Sequence, residues 1–167
     1  MSDIIQAINV DDLTNTSVTQ EYPLGSRYVD QSSTGPIKNE YIYLRAHSGL
    51  SVQQPFQLSL SNVTASAVTS KAPVTTASGA TVFISPGASE NDYFWGQVKG
   101  TAIVRCSGFA AGDYGEVLNA GTTLVLDGGV SGSTVESDKS VGIATTSESG
   151  GLATFLLSGN KVQIAAA

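Results

Sequence analysis

The chain has few of the residue types from which most active sites are built. Its 167 residues include one cysteine, Cys106, and one histidine, His47, and only 13% of them are charged, against about 25% in an average globular protein. A single cysteine excludes a disulfide within the chain, and one histidine with one cysteine cannot form a zinc site of the usual Cys/His type. We expect Cys106 to be a small buried hydrophobic residue and His47 to be bonded locally at a loop or strand end.

Positive charge is especially scarce. Eight Lys and Arg stand against fourteen Asp and Glu, which gives a net charge of −6 and a pI near 4.5. The eight cations are scattered singly along the chain, so no basic patch for phosphate groups is indicated, and we expect no nucleic-acid partner. Because sparse charge solubilises a lone monomer poorly, the composition also indicates a surface that is partly covered in an assembly.

Long apolar runs are absent as well. No stretch approaches the ~20 apolar residues of a transmembrane helix. The opening MSDIIQAINVDDL has an acid at Asp3 and too short an apolar run for a secretory signal peptide. We expect a protein that is made in the cytoplasm, has no membrane partner, and stays soluble or joins an assembly there.

Motifs of catalysis and cofactor binding are missing too. No G-x-S-x-G turn supplies a serine for His47, and neither of the glycine-rich phosphate-binding patterns occurs. Glu90 and Asp92 could help to hold a hard cation through carboxylate oxygens, but the twelve-residue calcium-loop pattern is absent, and a solvated loop is the simpler interpretation. The sequence predicts a protein that is not an enzyme and has no catalytic residue, no cofactor and no metal site.

What the chain does contain is a series of short alternating segments, separated by Ser, Thr and 18 Gly. No segment has a convincing helical period. We predict an all-β fold: a single barrel- or sandwich-like domain of about ten to twelve short antiparallel strands. The two clearest alternations place Tyr41, Tyr43 and Arg45 opposite Ile42, Leu44 and Ala46, and Thr101, Ile103 and Arg105 opposite Ala102, Val104 and Cys106.

The first twenty residues are interpreted as an extended N-terminal arm, ahead of a β-rich domain over residues 21–167. Four aliphatic residues are many for a tail meant only for water, and they indicate a segment that orders against a neighbouring surface. A frayed terminus is the alternative. The four predicted contact residues of the arm are Ile4, Ile5, Ile8 and Val10.

The only tryptophan opens a second informative segment, residues 92–126. Trp95 follows Tyr93 and Phe94, and clustered aromatic residues in a β domain are more often core or interface anchors than a platform for sugars. We predict that Tyr93 and Trp95 contact another subunit or a partner, with a sugar-stacking platform as the alternative.

Five short, glycine-led motifs stand in order between residues 22 and 160. They are Tyr22-Pro23-Leu24-Gly25-Ser26-Arg27; Glu40-Tyr41-Ile42-Tyr43-Leu44; YFWGQVKG from Tyr93 to Gly100; Gly112-Asp113 followed by Gly121-Thr122; and Val141-Gly142-Ile143-Ala144 followed by Ala153 to Leu157. In this order they resemble the head decoration (cement) proteins of tailed bacteriophages. No motif of that family is recognisable in residues 50–90.

The resemblance implies a non-enzymatic β protein on the outer surface of a phage capsid, in the virion. Its implied partner is the major capsid protein, whose neighbouring subunits it clamps, often as a homotrimer. The residues themselves leave a rival open, because a receptor- or glycan-binding module of a tail fibre or spike uses the same Ser/Thr/Gly-rich β composition. A hydrolase with a divergent site around His47 is a more remote alternative.

Overall fold

The protein folds almost entirely into β-strands. A computed structural model of the chain describes residue 8 and residues 10–34, 37–59, 69–71, 77–120, 123–128, 140–159 and 161–166. These residues form one 3-10 helix, Val10–Leu13, and twelve strands: β1 Thr16–Ser17, β2 Arg27–Asp30, β3 Asn39–Ala46, β4 Pro55–Ser59, β5 Thr69–Lys71, β6 Ala77–Ile84, β7 Tyr93–Ser107, β8 Tyr114–Ala120, β9 Thr123–Gly128, β10 Ser140–Ala144, β11 Leu152–Leu157 and β12 Lys161–Ala166. Within the same residues, no helix is both long and apolar enough to cross a membrane.

The all-β prediction is therefore confirmed, with one difference in strand direction. The strands follow the order β1-β7-β11-β10-β8-β12-β6-β4-β5-β3-β2, and β9 lies beside β7 and β8. Most neighbours are antiparallel, as expected, but β3 with β5, β7 with β9 and β8 with β12 run parallel. Alternation along one strand shows which face is buried and says nothing about the direction of its neighbour, so the sequence could not indicate these pairs.

Strand β7 runs through both halves of the fold, which β12 also links by pairing with β6 and with β8. Its first half pairs with β3, from Arg45 beside Tyr93 to Glu40 beside Lys99, and its second half pairs with β11 from residue 100 to residue 105. We call the region of β2 to β6 with the first half of β7 the first lobe, and the region of β8 to β11 with the second half the second lobe. The long central strand thus belongs to both lobes.

The change from one lobe to the other occurs at Gly100. Its φ is +89°, and a Cβ atom placed there would lie 2.7 Å from Cα of Asn39. A residue with a side chain would have to adopt a disfavoured backbone conformation and also displace the neighbouring strand. Glycine is therefore required where β7 passes between the lobes.

Two apolar clusters fill the fold, one mainly in each lobe, and β6 contributes Phe83 to the first and Val82 and Ile84 to the second. In the second lobe, Ala102, Val104 and Cys106 are 6%, 0% and 4% exposed, while the intervening residues of β7 face outward, as the alternation predicted. The first cluster contains Ile42, Leu44, Ala46, Leu50, Phe56, Leu58, Phe83, Phe94 and Val98, and the second contains Val82, Ile84, Ala102, Val104, Cys106, Phe109, Val141, Ala144, Ala153, Phe155 and Leu157.

The arrangement is sandwich-like. Pairings lead from β3 through β5, β4 and β6 back towards β7, but the last contact consists of the single residue pair Ile84–Gln97. In the first lobe the sheet therefore folds over its apolar cluster without forming a continuous barrel wall. In the second lobe β7, β11, β10, β8 and β9 pair in succession, and β9 returns to β7 through two residue pairs. Asp127-Gly128-Gly129 is a sequence typical of a hairpin turn. Strand β9 ends at Gly128, and residues 129–139 lie outside the described residues.

Candidate functional site

Six of the twelve aromatic residues of the chain gather on one face of the first lobe. Alternation along β3 and β7 points one set of side chains into the apolar cluster and the other set to the opposite face of the sheet. That opposite face carries the only tryptophan and, with the neighbouring β2 and the segment before it, five of the six tyrosines. We call this set the aromatic face: Tyr22, Tyr28, Tyr41, Tyr43, Tyr93 and Trp95.

Trp95 is the centre of the aromatic face. Its ring centroid lies 5.0 Å from that of Tyr43 and 5.3 Å from that of Tyr22, and Tyr28 follows at 6.3 Å. The rings meet at tilted or edge-on angles, which are the favoured geometries for aromatic pairs. The side chain is only 2% exposed, so its contacts are with its own chain.

The N-terminal segment covers this face. Ile8 and Leu13 are 7% and 5% exposed and pack against Tyr43 and Trp95. Two further contacts fix the segment: the short β1 pairs with the start of β7, and the backbone N–H of Glu21 donates to the hydroxyl oxygen of Tyr43 at 3.1 Å. The described part of the region interpreted as an extended arm therefore lies against its own sheet, because its aliphatic side chains cover aromatic rings that water would otherwise contact.

Six residues were predicted to contact a partner or another subunit, and they differ in where they lie: outside the described residues, buried, or partly buried. Ile4 and Ile5 lie outside the described residues, and Val10 begins the 3-10 helix, although its side chain is also outside them. Ile8 and Trp95 are buried together in the cluster just described. Tyr93 is partly buried, and the guanidinium carbon of Arg45 lies 5.9 Å from the centroid of its ring.

Trp95 also borders two cavities. One, of about 180 Å³, is lined by hydroxyl, amide and carboxylate groups of the N-terminal segment and by rings of the aromatic face: Asp12, Asn15, Thr16, Ser17, Glu21, Tyr43, Tyr93, Phe94 and Trp95. The other, of about 340 Å³, has no charged residue in its lining: Leu13, Thr14, Tyr41, Val52, Gln53, Ile84, Ser85, Pro86, Trp95, Gln97, Thr101, Ala102 and Ile103.

Partial burial shifts the pKa of three tyrosines of the aromatic face. Burial raises the pKa of Tyr41 and of Tyr43 above the usual 10.0, and it does the same for Tyr22, where the carboxylate of Asp12 adds to the effect. The indole N–H of Trp95 is buried and has no hydrogen-bond acceptor in the described part of the chain. Nearby tyrosine rings offer this N–H only the weaker contact of a π face.

Three side chains were considered for catalysis or metal binding, and each lies at a strand end or in a loop: His47, Glu90 and Asp92. His47 is exposed at the end of β3. A carboxylate oxygen of Asp92 accepts a hydrogen bond from the backbone N–H of Ser89 at 3.1 Å, within its own loop, and Glu90 is exposed. Over the described ranges, His, Cys, Asp and Glu side chains nowhere gather in threes around a point that could hold a metal ion.

Cys106 occupies the second lobe, 4% exposed, as the sequence predicted. Burial, with a smaller effect of the nearby carboxylate of Glu148 in the same direction, raises the pKa of its thiol to about 11. The thiol is therefore protonated at neutral pH and is a weak nucleophile.

Comparison with known proteins returns no similar protein: no family model, no curated protein and no solved structure matches the chain. Arguments about function therefore depend on the residues of this chain and on how the fold arranges them.

Proposed function

We propose that the protein is a structural decoration (cement) protein that binds the outer surface of a phage head and stabilises contacts between major capsid subunits. The observation that carries the proposal is the position of the five motifs behind the resemblance to such proteins. They are far apart in the sequence, yet their described residues lie next to one another around β7; Gly121-Thr122 lies outside the described residues.

The first three motifs form one unit in the first lobe. Tyr43 of the second motif exchanges backbone hydrogen bonds with the first motif, accepting from Gly25 at 2.8 Å and donating to Ser26 at 2.9 Å. The same motif pairs along its length with the third, with Ile42 beside Gly96 and Leu44 beside Phe94.

The last two motifs form a matching unit in the second lobe. The N–H of Gly112 donates to the carbonyl of Ala144 at 2.8 Å, and the N–H of Ala144 donates to the carbonyl of Asp113 at the same distance. The final segment, Ala153 to Leu157, pairs with β7 from Val104 to Gly100. Short motifs that are joined by backbone hydrogen bonds in this way define part of the fold together. A family of proteins that act through their shape would retain such motifs.

The chemistry of the chain suits a protein that acts by occupying a surface. A clip that binds the assembled shell, and not the separated subunits, stabilises the shell by mass action in proportion to its occupancy. Such a protein needs a stable shape and a contact surface and no reactive group. The partners on this proposal are the major capsid protein and, by the same resemblance, two further copies of this chain in a trimer on the virion surface.

The proposal is tested by mixing the purified protein with undecorated, expanded heads and pelleting the heads at several salt concentrations. Co-sedimentation that saturates at a fixed number of copies per head is the expected result. Raised resistance of the decorated heads to heat or to chelators would then show the cement activity. Absence of the protein from the pellet at every salt concentration would refute the proposal.

A second function, a receptor- or glycan-binding module, is favoured by the 180 Å³ cavity. An engineered cavity of about 150 Å³ holds one benzene molecule, so this one is large enough for a single sugar ring. Its lining offers hydrogen-bond donors and acceptors from Asn15, Glu21 and Tyr43. Saturable binding on a glycan array that is lost in Asn15→Ala, an exposed position, would support this function over the first.

A further inference from the structure

The first residues of the chain attach to the aromatic face through few apolar contacts. We call Ile8 together with residues 10–17 the strap. Two of its described side chains, Ile8 and Leu13, are buried and pack against Tyr43 and Trp95. Four of the seven residues from 11 to 17 are exposed, and two more are half-buried. Most of the strap therefore contacts water, and its attachment depends on two aliphatic side chains.

Hydrogen bonds add little to this attachment. Strand β1, at the end of the strap, is two residues long and among the described strands pairs only with the start of β7. Nearer the other end, the hydroxyl of Tyr22 donates to a carboxylate oxygen of Asp12 at 3.4 Å, which is long for an O–H···O bond. Because a pairing of two residues holds a segment weakly, we expect the strap to open more readily than the central strands.

The residues that follow the strap have the exposure of a hinge. Val18 is 86% exposed, and Thr19 and Gln20 are exposed as well. Directly after them the chain is fixed again, because the backbone N–H of Glu21 donates to the hydroxyl oxygen of Tyr43 at 3.1 Å. A short exposed stretch beside a fixed point can change its backbone angles without disturbing a packed side chain.

The space beside the strap is not filled. The 180 Å³ cavity is lined by four residues of the strap as well as by rings of the aromatic face, and the 340 Å³ cavity reaches Leu13 and Thr14. Packed interiors leave few spaces larger than a water molecule. The strap thus rests on the aromatic face without the close packing that fixes a core element.

The covered state also contains a buried donor without a partner. The indole N–H of Trp95 has no hydrogen-bond acceptor in the described part of the chain, and the side chain borders both cavities. Burying a donor without an acceptor costs free energy. Water that enters as the strap lifts can accept from this N–H, so opening removes a cost that the covered state carries.

We propose that the strap is a movable cover: it opens as one unit about residues 18–20 while the sheet stays folded, and Trp95 and Tyr43 become exposed when it does so. The inference goes beyond the proposed function and does not depend on it. Because Trp95 is 2% exposed when the strap is closed, any contact that this side chain makes with another molecule requires the open state. The prediction that Trp95 is a contact residue is then compatible with its burial in the fold.

The inference is tested by hydrogen exchange of the Trp95 indole N–H, followed by NMR. The chain has one tryptophan, so this N–H gives one signal. The backbone N–H groups of Leu44 and Val104, one in each apolar cluster, report on the sheet. After correction for intrinsic rates, we expect the indole N–H to exchange about tenfold faster than these amides or more, with a smaller dependence on urea, because opening of the strap exposes less surface than unfolding does. Equal protection and equal urea dependence of the three groups would overturn the inference, as would an indole N–H that has no protection at all.

A disulfide between the strap and the sheet shows whether the strap itself moves. Ser17 and Tyr93 lie opposite each other in antiparallel strands, and the Cα atoms of such pairs are about 4.5–5.5 Å apart, a distance that a disulfide spans. In oxidised Ser17→Cys/Tyr93→Cys, the indole N–H should exchange about tenfold more slowly than in the same variant after reduction, which is the matched control. Equal rates in the two forms would show that solvent reaches Trp95 without movement of the strap, and the inference would fail.

A second pair of variants makes the test without a disulfide. Leu13→Ala removes a buried side chain of the strap and should speed indole exchange about tenfold or more, whereas Val18→Ala, at the exposed hinge, should leave the rate unchanged. Continued protection of the Leu44 and Val104 amides shows that the sheet of each variant is folded. An unchanged indole rate in Leu13→Ala would mean that the strap does not control access to Trp95, which refutes the inference.

Discussion

Substitution of Gly100 by alanine should reveal how strongly β7 depends on its bend between the lobes. Two separate effects act at this position. An L-residue with positive φ loses about 1–2 kcal/mol relative to glycine, and the new Cβ atom would lie 2.7 Å from Cα and 3.0 Å from the backbone nitrogen of Asn39. Because these are main-chain atoms, rotation of a side chain cannot relieve the contact.

The combined effect is large enough to measure easily. Overpacking adds about 1–3 kcal/mol to the backbone term, so the free energy of unfolding should fall by about 2–5 kcal/mol. For a chain of this length, 1 kcal/mol corresponds to roughly 2–4 °C, which predicts a melting temperature about 10 °C lower for Gly100→Ala. Thermal unfolding followed by circular dichroism or calorimetry would measure the shift.

Gly108 provides the matched control. Its φ is +76°, and no atom lies within 4 Å of the place its Cβ would take. Gly108→Ala should therefore lose only the backbone term, about 1–2 kcal/mol. Shortening the neighbouring side chain, as in Gly100→Ala/Asn39→Ala, should not restore stability. Equal melting temperatures for Gly100→Ala and Gly108→Ala would refute the argument that the close approach to Asn39 matters.

Three further predictions concern other parts of the molecule. Leu13→Ala should lower the free energy of unfolding by about 2–4 kcal/mol in denaturant titrations, because a cavity opens on the aromatic face. Val18→Ala, at a side chain 86% exposed, should change it little, and equal effects of the two substitutions would mean that the N-terminal segment does not stabilise the fold. Backbone N–H groups hold the pKa of Glu148 below its usual 4.5, so its contribution to stability is present above that pH and is lost as the pH falls through the lowered pKa. The difference in melting temperature between wild type and Glu148→Gln should therefore shrink from pH 7 to pH 3, and a constant difference would contradict this. Cys106 should resist alkylation by iodoacetamide at pH 8 in the folded protein and react at once in denaturant; rapid modification of the native chain would show that the thiol is accessible.

Local alternation was the part of the fold that the sequence could predict. Along β7 the small apolar residues Ala102, Val104 and Cys106 are buried, while Ile103 and its polar neighbours face outward, and the pattern needed no knowledge of any partner strand. The same reasoning placed Tyr41 and Tyr43 correctly on one side of β3, away from Ile42 and Leu44.

What alternation could not show is which distant segments come together. Tyr43 lies on the face that a strand pattern assigns to solvent, yet it is 2% exposed because Ile8 and Leu13, some thirty residues earlier in the chain, cover it. The nearness of Ile103 to Ile143 was missed for a related reason. Ile103 and Ile143 become members of one surface only when β11 and β10 are known to be neighbours, and strand order is a non-local property of the chain.

The path of β7 through both lobes has a mechanical consequence. Six residue pairs tie its first half to β3, and six tie its second half to β11. These hydrogen bonds run across the strand axis, so a pull along β7 shears many of them together instead of opening them one by one. Tension applied to one lobe along β7 reaches the other through continuous peptide bonds, in addition to the pairing of β12 with β6 and β8. On the proposed function, β7 would restrain the surface that the protein binds by a covalent tie, stiff along the strand.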